Sequence, residues 1–261
     1  MKDFVNLNKL LTTALDLNRH VIGIKFISTQ TEFEDIDAVE IEKPFRYCVL
    51  IKSATNGHAI KISKDYFKCN GSGVTFGYWD IPDDYYDSDN KSYLHSCGEV
   101  TSNVRQEMYI YDEESYGMLI KPLNKYVENE PDVIMIITSP YNAMRLSQGY
   151  TYNYGLKKDF NIAGNQAICL ESTLVPLLDK DMNISMLCAG TRYAAGWSDD
   201  EVSVGISIEK IEGVVDGLIN TINTVETNEK KKQIIERNGS EELDGIKITM
   251  NTAYFHSGTF Q

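Results

Sequence analysis

A short pattern of one cysteine and two spaced glycines occurs twice in the chain. In "CNGSGVTFG" and in "CAGTRYAAG" the order is Cys-x-Gly, then five residues, then Gly, beginning at Cys69 and at Cys188. A second cysteine precedes each copy, Cys48 by 21 residues and Cys169 by 19. Each pair encloses a helix-like stretch and a strand, and an apolar strand lies upstream of each pair. The pattern therefore predicts a tandem duplication.

The order of the predicted elements indicates the fold class. Apolar strands alternate with amphipathic helices, which favours an α/β (or α+β) fold. We expect two similar lobes, about residues 20–115 and 130–225, packed into one compact unit within residues 1–225. Residues 226–261 are predicted to be a charged linker and C-terminal extension, because "ETNEKKKQIIERNGSEELDG" is dense in charge.

One segment gives the clearest local prediction. "PDVIMIITSPYNAMRLSQGYTYNYG" begins as a continuous apolar strand and continues with Ser139 as N-cap and Pro140 at the first helical position. It predicts a strand, a turn and a helix. Similar patterns predict an opening helix in "DFVNLNKLLTTALDLN", strands in "VIGIKFIS", "HAIKIS", "YGMLIKPL" and "VSVGISI", and a helix in "TSNVRQEMYIY".

Composition excludes some partners and indicates a compartment. A formal net charge of −13, without clusters of Lys and Arg among aromatic residues, argues against nucleic acid. The start, "MKDFVNLNKLL", lacks a signal-peptide pattern, and no apolar run approaches the roughly 18 residues of a membrane span. We therefore expect a cytoplasmic protein with no membrane partner. The five cysteines would then be free thiols, ligands or nucleophiles.

The repeated turn has a chemistry of its own. A cysteine at a strand end, followed by glycines and a helix, lies near free backbone N–H groups, which favour the thiolate. Thiolate is the form that binds metal or attacks an electrophile. Glycines at Gly71, Gly73 and Gly190 would let a cofactor approach the backbone closely, and the N–H groups could hold an anion instead. Cys69 and Cys188 are therefore candidate cofactor-binding residues.

The four cysteines of the two repeats are candidate metal ligands if the two repeated turns lie close together. Two lobes related by a pseudo-two-fold axis would bring the equivalent turns to a shared interface or leave them at opposite ends, and the sequence leaves both arrangements open. If they meet, Cys48, Cys69, Cys169 and Cys188 could hold an iron–sulfur cluster or zinc, although the usual Cys-x2-Cys spacing is absent. Alternatively, these cysteines are core residues and the glycine turns only pack a strand on a helix.

Three further polar residues are candidate cofactor-binding residues. Arg145 follows the well-defined N-cap and is either a surface charge or a partner for a ligand carboxylate or phosphate. Glu171 lies in an apolar stretch, where a carboxylate needs a partner, and we expect it to pair with Arg192. That pair would be a structural lock or an acid/base and anion-binding set. His95 and Cys97, in "LHSCGEV", are weaker candidates for one metal ligand.

Several motifs together resemble a known family. "PFRYCVLIKSATNG", "CNGSG", "PDVIMIITSPYNAMRLSQGYTYNYG" and "NISMLCAGTRYAAGWSDDEVSVGI" are similar, in this order, to the uncharacterised ArCR family, domain of unknown function family 169. The resemblance covers residues 5 to 225. It implies no established reaction, but the family's association with anaerobes favours oxygen-sensitive chemistry such as iron–sulfur clusters. The acidic loop at Tyr85 and Tyr86 and the tail after residue 226 depart from the family.

Two functions follow from the sequence. The first is a protein that binds a cofactor or small molecule between its duplicated lobes, in its boldest form an iron–sulfur or other metal-dependent redox enzyme of anaerobic metabolism. The alternative is a non-catalytic binding or interaction protein with structural core cysteines, whose acidic, tyrosine-rich loop meets a basic partner. An exposed apolar lobe surface would equally serve a homo-oligomer. No residue is predicted to be catalytic.

Overall fold

The computed structural model describes residues 2–89 and 95–250. These residues form a seven-stranded mixed sheet with helices on both faces, and a separate two-stranded hairpin. The strands of the sheet are β1 (Ile22–Ile27), β2 (Val39–Ile41), β3 (Ile60–Ser63), β4 (Gly117–Pro122), β5 (Val133–Thr138), β6 (Met182–Ser185) and β7 (Val202–Ser207). The hairpin is β8 (Glu242–Leu243) and β9 (Ile246–Lys247).

The sheet has the same strand order on either side of its central pair. β1 and β5 run antiparallel at the centre. On one side β4 pairs with β1 and β3 pairs with β4, while on the other β7 pairs with β5 and β6 pairs with β7, all antiparallel. The inner pairings each join six residue pairs and the outer ones four. β2 adds a parallel edge strand beside β3, which makes the sheet mixed.

The helices form a layer on each face of the sheet. They are α1 (Phe4–Ala14), α2 (Gln30–Asp35), α3 (Tyr47–Thr55), α4 (Asn70–Thr75), α5 (Gly98–Glu107), α6 (Pro140–Tyr154), a π-helix (Ala167–Leu174), α7 (Val175–Asp179), α8 (Ala189–Ala195), α9 (Ile211–Asn220), α10 (Ile222–Val225) and α11 (Asn228–Asn238). Short 3-10 turns lie at Lys64–Tyr66 and Leu123–Lys125. No helix within the described residues is long and apolar enough to cross a membrane.

Two apolar clusters hold these layers together. α1, α6, α9 and α11 bury one cluster against one face, and α3, the π-helix and α7 bury another against the opposite face. Side chains of β4 alternate between them: Leu119 joins the first cluster, and Met118 and Ile120 join the second. A strand covered on both faces needs apolar residues at successive positions, which explains the continuous apolar runs in the sequence.

The local predictions for strands and helices agree with the structure. The Ser139 side chain accepts a hydrogen bond from the Asn142 backbone N–H, and Pro140 opens α6, which confirms the strand, turn and helix predicted there. Cys48 lies in the first turn of α3. The segment beginning at Cys169 is part of the π-helix, a conformation that is rare and often found at functional sites.

The charged C-terminal segment contains a helix and a hairpin within the described residues. Residues 226–250 include α11 and the hairpin, and α11 contacts α1. Ile234 and Ile248 are buried in the cluster against α1, so the charged residues cover one side of a helix whose other side is apolar.

The acidic loop differs from a wholly exposed segment, because Tyr85 is buried. The tail strand predicted in "IKITMNTAYF" extends beyond the described residues after position 250.

Candidate functional site

Four of the five cysteines line one cavity of about 420 Å³. We call it the thiol cavity; Cys48 reaches it from α3, Cys69 from the start of α4, Cys169 from the π-helix and Cys188 from the start of α8. The structure thus brings the two repeated turns together, one of the two arrangements that the sequence left open. The exposed Cys97 does not line this cavity. The volume of the thiol cavity lies in the range of about 300–1,000 Å³ that is typical of small-molecule and cofactor sites.

The repeated pattern encodes the same small helix twice. Cys69 is the N-cap of α4 and Cys188 is the N-cap of α8, where its Sγ accepts a hydrogen bond from the Thr191 backbone N–H at 3.4 Å. The last glycine of each pattern, Gly77 or Gly196, has a positive φ of 65° or 63°. Glycine adopts this left-handed conformation without strain, so it ends each helix. The cysteine therefore begins each helix beside the cavity and the glycine terminates it.

The middle glycines of the two turns have different surroundings. A Cβ at Gly73 would lie 2.5 Å from the Trp79 ring, and one at Gly71 would lie 3.0 Å from Gln166 Cγ, so packing favours glycine at both. A Cβ at Gly190 would meet only Cys188 Sγ, at an ordinary 3.8 Å. The backbone of Gly190 is also outside the left-handed region. Neither packing nor backbone conformation requires glycine there, and its bare backbone lines the cavity.

Burial keeps two of the cavity thiols protonated. It raises the pKa of the Cys48 thiol to about 11 and the pKa of Cys169 well above its usual value. The second cause is the same for both: the neighbouring Cys69 and Cys188 would repel a thiolate at either position. Cys48 and Cys169 therefore each lie within electrostatic range of the two N-cap cysteines, Cys69 and Cys188. Without a bound ligand, Cys48 and Cys169 are neutral thiols at neutral pH.

A buried hydrogen bond joins the two helices that carry these thiols. Tyr47 Oη lies 2.9 Å from Thr173 Oγ1, which links α3 to the π-helix. Thr173 also lies 2.8 Å from the carbonyl oxygen of Ile168 and donates to it. Burial raises the pKa of Tyr47 well above its usual value, so the phenol stays neutral and able to donate. The bond fixes Cys48 and Cys169 relative to each other.

Glu171 lies outside the thiol cavity and anchors the loop that precedes the π-helix. Its Oε1 accepts from the backbone N–H groups of Ala163 and Gly164 at 2.7 and 2.8 Å, and its Oε2 accepts from Ser185 Oγ. Burial raises the pKa of this carboxyl group, although these hydrogen bonds oppose the shift. The anchored loop leads directly to Gln166, whose φ of 51° is left-handed and whose side chain lines the cavity.

Arg192 and Arg145 also lie away from the thiol cavity. The Arg192 guanidinium donates to the carbonyl oxygens of Met186 and Ser198 and so holds the turn around α8, and the expected ion pair with Glu171 does not form. Arg145 is fully buried, and its Nε lies 2.6 Å from Glu226 Oε1. Of the residues predicted to bind a cofactor, Cys69, Cys188, Gly71 and Gly190 line the thiol cavity. Gly73, Arg145, Glu171 and Arg192 lie outside it.

Two arginines that the sequence did not single out line the cavity. Arg46 is the N-cap of α3, and Arg105 lies in the last turn of α5. Neither has a salt-bridge partner within residues 2–89 and 95–250. The position of Arg46 two residues before Cys48 is a signal that sequence reasoning could have used, whereas Arg105 has no comparable signal. The weaker candidate His95 lines an adjoining cavity instead.

The cavity thiols are not grouped around one metal-ion position. Zn–S bonds of about 2.3 Å place tetrahedral sulfur ligands about 3.8 Å apart, and in the described part of the chain no group of three or more His, Cys, Asp or Glu side chains is arranged to hold a metal ion.

Comparisons with known proteins identify relatives without a known function. The chain is 24% identical over 216 residues to the uncharacterized protein MJ0308 of Methanocaldococcus jannaschii, an alignment covering 80% of this chain and 91% of that protein. No solved structure matches the chain. The family described as uncharacterised ArCR matches residues 10–217, which include all four cavity cysteines. The chain therefore belongs to the uncharacterised ArCR family.

Proposed function

We propose that the protein binds a cofactor through the four cysteines of the thiol cavity, and that this cofactor is an iron–sulfur cluster. One observation carries the proposal: two cysteine pairs separated by 100 residues in sequence line the same cavity. Core cysteines need not converge on a cavity, whereas ligands must. The protein is then a redox protein or redox enzyme.

The donor set fits a cluster better than a single ion. Four cysteine thiolates are the usual ligands of a four-iron, four-sulfur cluster. Cys48 and Cys169, which burial keeps protonated, would release their protons on binding, as thiolate ligands must. The bare backbone of Gly190 leaves room beside Cys188. A bound cluster would supply one-electron transfer.

A two-fold arrangement of ligands would follow from an internal duplication, which we also propose. The matched strand order and equal lengths of the paired strands around β1 and β5 support it. The halves share one continuous sheet, and the first includes β4, which extends past the expected boundary at residue 115 to Pro122. On this proposal, α3 corresponds to the π-helix with α7, and α4 corresponds to α8.

The proposed setting follows from the same chemistry. Five cysteines without a disulfide in the structure fit a reducing compartment, so we propose that the protein is cytoplasmic. Its partners would be the cofactor and a small molecule, and the net charge of −13 argues against nucleic acid.

The alternative function, a binding or interaction protein with structural cysteines, is favoured by one contact. Cys169 is only 8% exposed and its Sγ donates to the Gln166 carbonyl oxygen at 3.2 Å, as a core thiol would. On this alternative, all four cavity thiols would pack without binding a cofactor, and they would react slowly with thiol reagents in the native protein.

Purification without oxygen tests the proposal. We expect iron and sulfide in equal amounts, about four of each per chain, with a broad visible absorption that bleaches on reduction. Cys69→Ser and Cys188→Ser should lose both iron and sulfide. Cys97→Ser is the matched control, because Cys97 lies outside the cavity, and it should keep them. Protein that remains colourless after anaerobic reconstitution, or equal losses in all three variants, would contradict the proposal.

A further inference from the structure

A second cavity of about 210 Å³ adjoins the thiol cavity. We call it the side compartment. Five residues line both cavities: Asn70, Gly71, Arg105, Asn165 and Gln166. A molecule in the side compartment would therefore lie directly beside whatever the cysteines hold.

We propose that the side compartment binds a small organic anion whose carboxylate or phosphate group pairs with Arg105. This inference deepens the proposed function, because it names the class of molecule that would react beside the cofactor. The binding of the anion itself depends only on residues of the two cavities, so it can be tested in the cofactor-free protein.

Arg105 is oriented but not neutralised. Its Nη1 donates to the Tyr85 carbonyl oxygen at 2.8 Å, and its guanidinium lies 4.8 Å from the centre of the Tyr85 ring. These contacts use one donor and one face of the group. A guanidinium carries five N–H donors in a planar fork that matches a carboxylate or phosphate. Since Arg105 has no acidic partner among the described residues, its remaining donors can take an anion.

The charge around the cavities supports the same ligand class. Arg46 lines the thiol cavity, and this second guanidinium also lacks an acidic partner in the described ranges. The chain has 38 acidic and 25 basic residues, so acidic partners are abundant elsewhere. Two arginines without ion-pair partners among the described residues line the thiol cavity, which favours an anionic ligand over a cationic one.

Size and lining limit the ligand further. At about 30 Å³ for each water molecule, the side compartment holds on the order of seven waters. That volume suits a small metabolite and excludes a polymer. Val74, Val104 and Met108 form an apolar wall, so the ligand carries an organic body beside its anionic group.

Two alkylating reagents of nearly equal size test the inference in cofactor-free protein. Iodoacetate is anionic and iodoacetamide is neutral, and both alkylate thiols. The ratio of their rates is measured by mass spectrometry at Cys69 and Cys188, with the exposed Cys97 as internal reference. One pair of charge-assisted hydrogen bonds should raise the ratio of the iodoacetate rate to the iodoacetamide rate at the cavity cysteines about tenfold above that at Cys97. A tenfold change in this ratio corresponds to about 1.4 kcal/mol.

Matched variants assign the preference to Arg105. Arg105→Gln should lower the ratio at Cys69 toward that of Cys97, with Arg46 still lining the thiol cavity. Arg237→Gln, at an arginine that pairs with Asp16 outside both cavities, should leave it raised. A wild-type ratio at Cys69 no higher than at Cys97 would overturn the inference. Because no cofactor is present, this result is independent of whether iron and sulfide are found.

A second measurement applies if neither Cys69 nor Cys188 is alkylated. Inorganic phosphate should then raise the melting temperature of the wild-type protein above that in chloride of equal ionic strength. Arg105→Gln should reduce the difference to the general stabilisation that phosphate gives folded proteins, and Arg237→Gln should retain it in full. Equal melting temperatures of wild type in the two salts would refute anion binding.

Discussion

Replacing Gly190 by alanine should stabilise the protein and weaken cofactor binding. Gly190 lies in the first turn of α8, where alanine favours the helix by about 0.5–1 kcal/mol. The new methyl group would meet only Cys188 Sγ at 3.8 Å, so it costs nothing in packing. It would, however, occupy space in the thiol cavity. Overpacking costs about 1–3 kcal/mol, and at 1.4 kcal/mol for each tenfold change the affinity for the cofactor should fall about five- to 140-fold.

Two assays on the same preparations separate these effects. Urea unfolding of the cofactor-free protein gives the change in the free energy of unfolding, and iron and sulfide content after reconstitution gives cofactor binding. Gly73→Ala is the control, because its Cβ would lie 2.5 Å from the Trp79 ring and should destabilise the fold. If Gly190→Ala lowers the free energy of unfolding, or binds the cofactor as wild type does, then the glycine is not there to leave space for a ligand.

Three further predictions follow from other parts of the structure. The rate at which iodoacetamide alkylates Cys48 should rise with pH up to about pH 11, because only the thiolate reacts and burial raises the pKa of Cys48 to about 11. A rate that levels off at about pH 8.5, the pKa of a free cysteine, would contradict this burial. Arg145→Met should lower the free energy of unfolding in urea by about 3–5 kcal/mol, since it removes the guanidinium that donates to the buried Glu226 carboxylate, and adding Glu226→Leu should recover much of the loss. Gly205→Ala should lower the free energy of unfolding in urea by about 1–3 kcal/mol, because its Cβ would lie 2.1 Å from the Ser172 carbonyl oxygen. An unchanged free energy of unfolding would show that the π-helix does not pack tightly on β7.

Features determined by neighbouring residues were predictable from the sequence. Ser139 and Pro140 specify the start of α6 through a side-chain cap and a fixed φ, both local effects. The matched spacing of the cysteines likewise located four residues that line one cavity. The sequence left open whether the two turns meet, because that depends on the antiparallel pairing of β1 with β5. Pairing between distant strands has no local signal.

The partners of charged residues were less predictable for the same reason. A buried carboxylate at Glu171 needs donors, and Arg192 in the second glycine turn was the expected partner. The structure instead supplies the backbone N–H groups of Ala163 and Gly164. Any segment can offer backbone donors, so composition does not reveal them. Arg105 is a further example, since α5 joins the cavity only through the tertiary fold.

On the proposed duplication, the two halves of the chain contribute unequally to the cavities, and the difference gives the proposed site a direction. Each half supplies two cysteines, so the thiols alone favour neither side. Arg46 and Arg105, which have no ion-pair partner among residues 2–89 and 95–250, both come from the first half. The equivalent region of the second half offers Gln166 as the N-cap of the π-helix, and the guanidinium of Arg192 is used by the turn around α8. A symmetric cofactor would therefore be approached by an anionic molecule from one side only, which is how a duplicated protein could acquire separate places for a cofactor and a substrate.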